Sequence, residues 1–434
     1  MKKLLTAFLF LFIISNVKAQ DSTSKFSLKQ AIDFALTNQV DVKNSLLEEE
    51  VSHQKINELK GYGTPQIYGT ADLNNYLKIP TIFFGDQAIT IGSKFTSSVG
   101  LSASQILFDG SYLVGLQASK AYQELSRKKT NLTKTETVVN VSKAYYGALI
   151  SNAYLEQVEA NVDRIKKTLD DTRALNTSGF VEKIDADRIE LSYNNLLVER
   201  DKIKRLKILN FALLEFQMGL PPTSKIELTD KLEDYPLAIT ALPDSVDYNK
   251  RPEFALIQMQ HHLQELDLRR YKSNYLPSLK AIGSISANAS RDHFTIFDTN
   301  KQWYQTSLIG LSLNVPIWDG LQKNSKVQQS KIALLEVDNS TSQLKQSIQL
   351  GYISAKSNFD NYIASLETTR KNVELAKEIS RQTKIKYDNG IGSSLEVIDS
   401  ESSLKESNAN YFNILFETIL AKIDLDKSTG NITY

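Results

Sequence analysis

The chain has no cysteine among its 434 residues. That excludes disulfides, thiolate metal sites and a lipid-modified N-terminal cysteine. Beyond the first 19 residues it has no run of about 18 or more apolar residues, so no membrane-spanning helix is readable, and a closed β-barrel is the one remaining route across a bilayer. Excess charge of either sign is also missing. The 51 basic residues, less Lys2, Lys3 and Lys18 of the leader, leave 48 against 50 acidic ones, so the mature chain stands near −2. A nucleic-acid partner finds no support in that balance. Histidine is scarce: His53, His261, His262 and His293. His261 and His262 are adjacent and point about a quarter-turn apart, unlike the i, i+4 pair of a helical metal site. No serine–histidine–acid set and no clustered metal ligands are readable, so neither an enzyme, a cofactor nor a metal is expected. Gly61-Tyr62-Gly63 lacks the rest of a phosphate-binding fingerprint and reads as a helix-to-strand bend.

What is present begins with an export leader. Met1-Lys2-Lys3 is basic, Leu4 to Val17 is almost wholly apolar, and Val17-Lys18-Ala19 offers small residues at −3 and −1. Cleavage is expected after Ala19. The alternative is an uncleaved anchor, which the shortness of the apolar stretch disfavours.

The mature chain repeats itself. Phe108-Asp109-Gly110 and Trp318-Asp319-Gly320 lie 210 positions apart, Gly179 and Gly390 211, Gly219 and Gly430 211, and Pro65 and Pro277 212. A period this long exceeds a solenoid unit and predicts one structural half copied in tandem. The expected divisions are a signal peptide at 1–19, a first repeat at 20–220, a linker at 221–250 and a second repeat at 251–434.

Each half holds paired strands. Phe95, Ser97, Val99, Leu101, Ala103, Gln105 and Leu107 alternate with Thr96, Ser98, Gly100, Ser102, Ser104 and Ile106. Trp303 to Ile317 repeats the pattern, with Ile309, Leu311 and Leu313 against Thr306, Gly310, Ser312 and Asn314. One greasy and one small polar face is the signature of a strand between two environments. A soluble half-buried sheet gives the same alternation; the leader and the flanking Phe108, Trp303 and Trp318 favour lipid. Pro316 predicts that pairing ends near it. Earlier strands start at Pro65 and Pro277, and the connections Lys78–Gly92 and Arg291–Gln302 read as hairpin loops. Four strands per chain cannot close a barrel, since the smallest membrane barrels have about 8. At least two copies are therefore expected.

The rest reads as helix. From Gly110 to Ser178 there is no proline, and Leu155, Val158, Val162, Ile165 and Leu169 form a heptad seam behind an Asp109 N-cap. Seventy helical residues span about 105 Å, and Gly320–Asn389 is an equal stretch. Shorter helices return over Val181–Met218 and Ser393–Lys427, and further helices are expected at Asp41–Lys60 and Glu253–Lys272. The fold class is therefore mainly α with a small antiparallel β-barrel portion.

These residues resemble a family, the TolC-like outer membrane efflux proteins, over nearly the whole mature chain. The resemblance rests on Ser27-Leu28-Lys29-Gln30-Ala31-Ile32-Asp33-Phe34-Ala35-Leu36, on Gly100 to Gly110, on Gly310 to Gly320, and on Tyr387-Asp388-Asn389-Gly390 running into Leu395-Glu396-Val397-Ile398-Asp399. It implies a homotrimer in the bacterial outer membrane, with a 12-stranded barrel in lipid and a helical tunnel crossing the periplasm. It further implies that the segment Thr223–Tyr248, with Pro236 and Pro243, wraps the tunnel's waist. The implied function is the exit channel of a tripartite efflux or secretion system, a passive duct opened when a periplasmic adaptor and an inner-membrane transporter dock. In the family two acidic residues three apart ring the narrow end. The matching positions are Glu396 and Asp399, with glutamate where the family has aspartate. Spacing of three puts both on one helix face; two solvated acids on a helix surface is the alternative. Asp185 and Asp187, two apart, are not expected to form a gate. The tips Gly179-Phe180-Val181 and Gly390-Ile391-Gly392 are the expected adaptor contacts, against the alternative of plain helix-hairpin turns. A surface coiled-coil protein of structural or adhesive role, anchored by a barrel, is the competing function. It leaves unexplained why strands interrupt the helices at matching points of both halves.

Overall fold

The computed structural model describes residues 24–232, 246–298 and 300–432. The expected leader and the linker prolines Pro236 and Pro243 lie outside the described residues. No described helix is long and apolar enough to cross a membrane.

The chain divides into two compact units, each drawing on both halves of the sequence. One combines Ser45–Thr130 with Pro252–Lys345; the other takes the residues up to Asn44, Asn131–Arg251 and Gln346–Tyr434.

The first of these units is built on a four-stranded antiparallel sheet of β2 (Gln66–Asn75), β5 (Phe95–Phe108), β7 (Ser278–Arg291) and β8 (Tyr304–Asn314), in that order. β8 stops two residues before Pro316, which has no amide hydrogen to donate. The register stacks the alternation of all four strands. Gly69, Leu101 and Ile285 share one row, and Ile309 sits beside Gly283, itself paired with Ala103. One face therefore carries Ile67, Val99, Leu101, Ile285, Ile309, Leu311 and Leu313, all exposed. The other carries Ser98, Ser102, Ser104, Ser284, Ser286 and Thr306, by the period of two. A soluble chain does not leave an apolar face of this extent bare. The connection expected as loop at Lys78–Gly92 instead folds as its own hairpin, β3 (Thr81–Phe84) with β4 (Gln87–Thr90).

Helices enter and leave the sheet in matched fashion. α2 (Val40–Tyr62) precedes β2, and α5 (Pro252–Ser273) precedes β7. Two very long helices follow the sheet hairpins, α3 (Gly110–Thr177, 68 residues) and α6 (Gln322–Asp388, 67 residues). Each has an aspartate at its start. Asp109 Oδ1 accepts from the Tyr112 amide at 2.9 Å, and Asp319 Oδ2 from that of Lys323 at 3.0 Å. This orphan donor of the first helical turn, with the Lys323 side chain, holds the Asp319 carboxyl below its usual range. The second start is looser: Gly320 and Leu321 both take positive φ, 64° and 65°, so α6 begins two residues later than the Gly320 expected.

The other unit is helical. α1 (Leu28–Asn38) starts from a capping box in which the Ser27 hydroxyl accepts from the Gln30 amide and the Gln30 side chain from that of Ser27. α4 (Lys183–Met218) and α7 (Ser394–Thr429) have 36 residues each. The core joins Ala31 and Ala35 of α1 to Val141, Tyr145 and Leu149 of α3, Leu214 and Met218 of α4, and Leu415 and Ile419 of α7. A second cluster takes up the seam Leu155, Val158, Val162, Ile165 and Leu169, packed against Ile189, Leu196 and Ile203 of α4, Tyr387 and Val397. A short parallel pair, β1 (Ser24–Phe26) with β6 (Ile226–Leu228), ties the start of the described chain to the linker. Tyr145 locks it by donating its hydroxyl to the Phe26 carbonyl at 3.0 Å.

Candidate functional site

The expected contact residues sit at two helix-hairpin tips of identical backbone construction. Gly179 has φ 79° and Gly390 φ 72°, a left-handed conformation that glycine enters without a Cβ penalty. At the first tip the Gly179 amide donates to the Asn176 carbonyl and the Phe180 amide to that of Leu175. At the second, Gly390 donates to Tyr387 and Ile391 to Lys386. Both are the paired bonds of a Schellman motif, which satisfies the last carbonyls of the outgoing helix. The residue after each glycine is pushed outward: Phe180 is 80% exposed and Ile391 79%. Val181 differs from them, being partly covered, with its carbonyl accepting from Asn176 Nδ2 at 2.8 Å. Gly392 is needed for space rather than for φ, since a Cβ there would stand 3.0 Å from the Tyr387 amide nitrogen. Two further exposed apolar residues stand at the second position of the returning helices, Ile184 and Leu395. The helical period of the sequence marks neither as special.

Glu396 and Asp399 both lie exposed on the first turns of α7, three residues apart and so on one face. The structure adds a local role for the segment. Ser393 is the N-cap of α7, its hydroxyl accepting from the Glu396 amide at 3.2 Å. Ser393-x-x-Glu396 is thus a capping-box spacing, and an acid in that first turn is favourable to the helix dipole.

Asp185 does something the sequence did not signal. It accepts a short hydrogen bond from the Ser394 hydroxyl, tying the start of α4 to the start of α7. Asp187 is exposed.

Behind the tips lie polar contacts between helices that no sequence pattern pointed to. Glu401 of α7 is only 6% exposed and accepts from Arg164 Nη2 of α3 at 3.2 Å and from Ser380 Oγ of α6 at 2.5 Å. Arg164 also donates to Asn161, while its Nε is buried without a partner. Nearer the tip, the Thr172 hydroxyl and the Tyr387 phenol are 3.1 Å apart, both buried. Burial pushes the Tyr387 hydroxyl above its ordinary value, reinforced by the negative charges of Asp185 and Asp388. An open groove of about 250 Å³ runs between α4 and α7, lined by Leu191, Asn195, Leu395, Ile398 and Glu401 among others.

His261, expected not to form a metal site, contacts Asp338 at 3.2 Å and Glu265 at 3.7 Å. Among the described residues no group of three or more potential metal ligands is assembled.

Comparison with known proteins supplies the context for this arrangement. Residues 249–431 match the family model described as outer membrane efflux protein. The outer membrane protein TolC of Salmonella enteritidis is 20% identical over 418 residues, covering 94% of this chain and 82% of that protein. The alkaline protease secretion protein AprF of Pseudomonas aeruginosa is 20% identical over 315 residues, covering 70% of this chain and 63% of that protein. Among solved structures, the open state of the MtrE outer membrane channel of Neisseria gonorrhoeae superposes with a TM-score of 0.72 at 16% identity, over 93% of this chain and 88% of that one.

Proposed function

We infer, from a chain that is a TolC-like outer membrane efflux protein, that its function is that of the outer membrane exit channel of a tripartite efflux or secretion system. It acts as a duct without a catalytic step. A periplasmic adaptor and an inner-membrane transporter are its working partners.

The observation that carries this reading is the four-stranded sheet. One of its faces is apolar and bare, and both edge strands, β2 and β8, have a side left unpaired among the described residues. Unpaired edges and a lipid-compatible face are tolerated together only if copies join into a closed barrel. Three copies give 12 strands, within the range of outer-membrane barrels. The helices ask for the same thing. On α4, Ile189, Leu196 and Ile203 are buried at intervals of seven, while Ile184, Leu191 and Val198 are exposed at the same interval. The second set is displaced by two positions, about 200° around the helix, so α4 has an occupied seam and an empty one. A homotrimer fills the empty seam. The tandem-repeat reading is supported by the equal helix lengths and the matched glycine turns, and it gives each copy two hairpin tips for adaptor contact, Gly179-Phe180-Val181 and Gly390-Ile391-Gly392. The linker from Thr223 belongs to the waist of the tunnel.

Glu396 and Asp399 are proposed as the periplasmic gate. Three copies would gather six carboxylates about one axis, a cation-attracting constriction in a narrow passage. Single-channel conductance in planar bilayers tests the assignment by comparing wild type with Glu396→Ala/Asp399→Ala. Small cation-selective currents in the wild type, larger or less selective in the double variant, are expected. Pores identical in both remove the gate assignment and keep the duct. Folded trimers that form no pore overturn the channel.

A further inference from the structure

The sheet-bearing unit holds a cleft of about 600 Å³ between α2, α3 and α5. The three helices are tied to one another around it. Thr130 Oγ1 of α3 donates to the Ser45 carbonyl of α2 at 3.2 Å, and the Tyr112 hydroxyl to the Lys60 carbonyl at 3.5 Å. Arg269 of α5 donates to Gln117 Oε1 of α3 at 3.3 Å. Ile56 and Ala121, two of the lining residues, are buried. The cleft is therefore a preformed groove, and its volume suits a small-molecule ligand.

Its lining is cationic and donor-rich. Lys60, Lys120 and Arg127 are exposed along it, and none has an ion-pair partner among the described residues. Glu124 is the one carboxylate of the lining, and it pairs with none of them. His53 and His262 also line it, each beside a carboxylate of its own helix, Glu50 at 3.8 Å and Glu265 at 3.4 Å. Gln117 and Gln123 add amide donors. Cations that bridge helices elsewhere do meet protein acids, Lys143 with Asp424 and Arg164 with Glu401. The three here form a row instead. Lys120 and Arg127 stand seven residues apart on one face of α3, about 10.5 Å. Helix α2 runs antiparallel to α3, since Lys60 meets Tyr112 while Lys55 Nζ lies 4.8 Å from the Tyr122 ring centre. Lys60 thus extends the row towards the sheet. A cleft lined by charge of one sign between low-dielectric walls focuses its field and concentrates counter-ions.

We propose that this cleft binds an elongated soluble polyanion, one carrying phosphate, sulfate or carboxylate groups in a row, through Lys60, Lys120 and Arg127. The Arg127 fork suits a bidentate grip on such a group, and the two lysines act as point charges beside it. Helix α3 leaves the sheet at Gly110, so Gln117 to Arg127 lie about 10–25 Å along it. Lipid headgroups reach only about 5–8 Å beyond the hydrocarbon, which leaves the cleft in water. That last step rests on the barrel reading above; the cleft itself is built within one chain.

Calorimetric titration of the mature chain in neutral detergent at low ionic strength tests this, with sodium tripolyphosphate as one probe and dihexanoyl phosphatidylglycerol as the other. Saturable binding of tripolyphosphate is expected. Lys120→Gln/Arg127→Gln should weaken it about tenfold, as the loss of two partly screened charge contacts implies. Lys166→Gln/Lys167→Gln removes the same charge from exposed positions of α3 outside the cleft and should leave it unchanged. Glu124→Gln should tighten it, a gain that misfolding does not produce. No saturable binding by the wild type overturns the proposal. So does equal binding by the two lysine and arginine variants, or weaker binding by Glu124→Gln. Phosphatidylglycerol bound as tightly as tripolyphosphate, and lost in Lys120→Gln/Arg127→Gln, makes the cleft a lipid site and overturns the soluble ligand. None of these outcomes bears on the duct, which planar-bilayer conductance reads separately.

Discussion

The α3–α4 and α6–α7 hairpins share a backbone and part company in what they do with it. Their outgoing helices differ by one residue in length, their returning helices by none, and both tips close on the same pair of Schellman bonds around a left-handed glycine. The side chains are distributed differently. α3 is wrapped within its own chain: Val138, Val139, Val141, Tyr145, Tyr146, Leu149 and Ile150 are all buried, leaving little of that stretch bare. α6 buries a single stripe, Ile348, Tyr352, Ala355 and Phe359, and exposes a second, Leu350 and Ile353. The returning helices differ in their starts. α4 begins at Glu182 without a side-chain cap, whereas α7 begins at Ser393 with one. The two hairpins thus share their turn chemistry, which is local, and differ in their faces, which depend on what each packs against.

The largest effect expected separates the two faces of α4. Leu196 is buried among the α3 seam residues, and Val198 is 68% exposed two positions on. Leu196→Ala removes packed methylenes and leaves a cavity, which costs about 2–5 kcal/mol. Val198→Ala removes nothing that the protomer buries and stays within about 0.5 kcal/mol for the protomer itself, but under the homotrimer proposed above it weakens the joining of copies. Thermal unfolding by circular dichroism reads the first, and the trimer fraction by light scattering reads the second. If both variants lower the unfolding temperature equally while the trimer persists, the two-seam picture of α4 is wrong.

A smaller effect tests the joint between the hairpins. Glu401→Ala strands Arg164, whose Nε already lacks a partner, and leaves Ser380 with no acceptor. Breaking a buried pair from one side costs about 3–5 kcal/mol. Arg164 is partly exposed, so about 2 kcal/mol is expected after solvent screening. Glu401→Gln keeps one acceptor oxygen, for Arg164 or for Ser380 but not for both, and should recover part of that loss. Equal stability of the two variants would show that a neutral acceptor recovers nothing at this joint, and stability of Glu401→Gln equal to the wild type would show that the carboxylate charge contributes nothing.

Much of this architecture was legible because its determinants are local. Asp109 sits where an N-cap belongs, Gly179 and Gly390 where left-handed turns must be, and Val99 and Leu101 alternate with serines, all within windows of a few residues. Other features escaped for physical reasons. Thr81 to Thr90 places Gly-Asp between β-branched and aromatic residues, a hairpin signal, but its length also suits a plain loop, and nothing local distinguishes the two. Glu401 looks like any exposed helical acid until the rotation of α7 against α3 and α6 is known, a matter of long-range packing. The candidate gate was half legible: the spacing of Glu396 and Asp399 puts them on one face, but a ring needs copies that no single chain describes. The capping-box spacing of Ser393 and Glu396 was readable and gives the same glutamate a second, structural use.

That second use sets the smallest prediction, and it bears on how the gate test is interpreted. Ser393→Ala removes the acceptor of the Glu396 amide and should cost about 1 kcal/mol of stability at the start of α7. At the first tip the converse change, Glu182→Ser, offers α4 the cap it lacks and should gain a similar amount. If the two returning helices differ in stability only through these caps, the pair of substitutions should bring their local amide-exchange protection together. If α7 stays better protected after losing Ser393, its advantage lies in the Ser394–Asp185 bond or in the Glu401 joint instead. The outcome decides what an altered conductance in Glu396→Ala/Asp399→Ala would mean. A gate residue that also steadies the first turn of its helix can change the pore by fraying that turn. Ser393→Ala perturbs the turn while leaving both carboxylates in place, so only a conductance change that Ser393→Ala fails to reproduce belongs to the charges themselves.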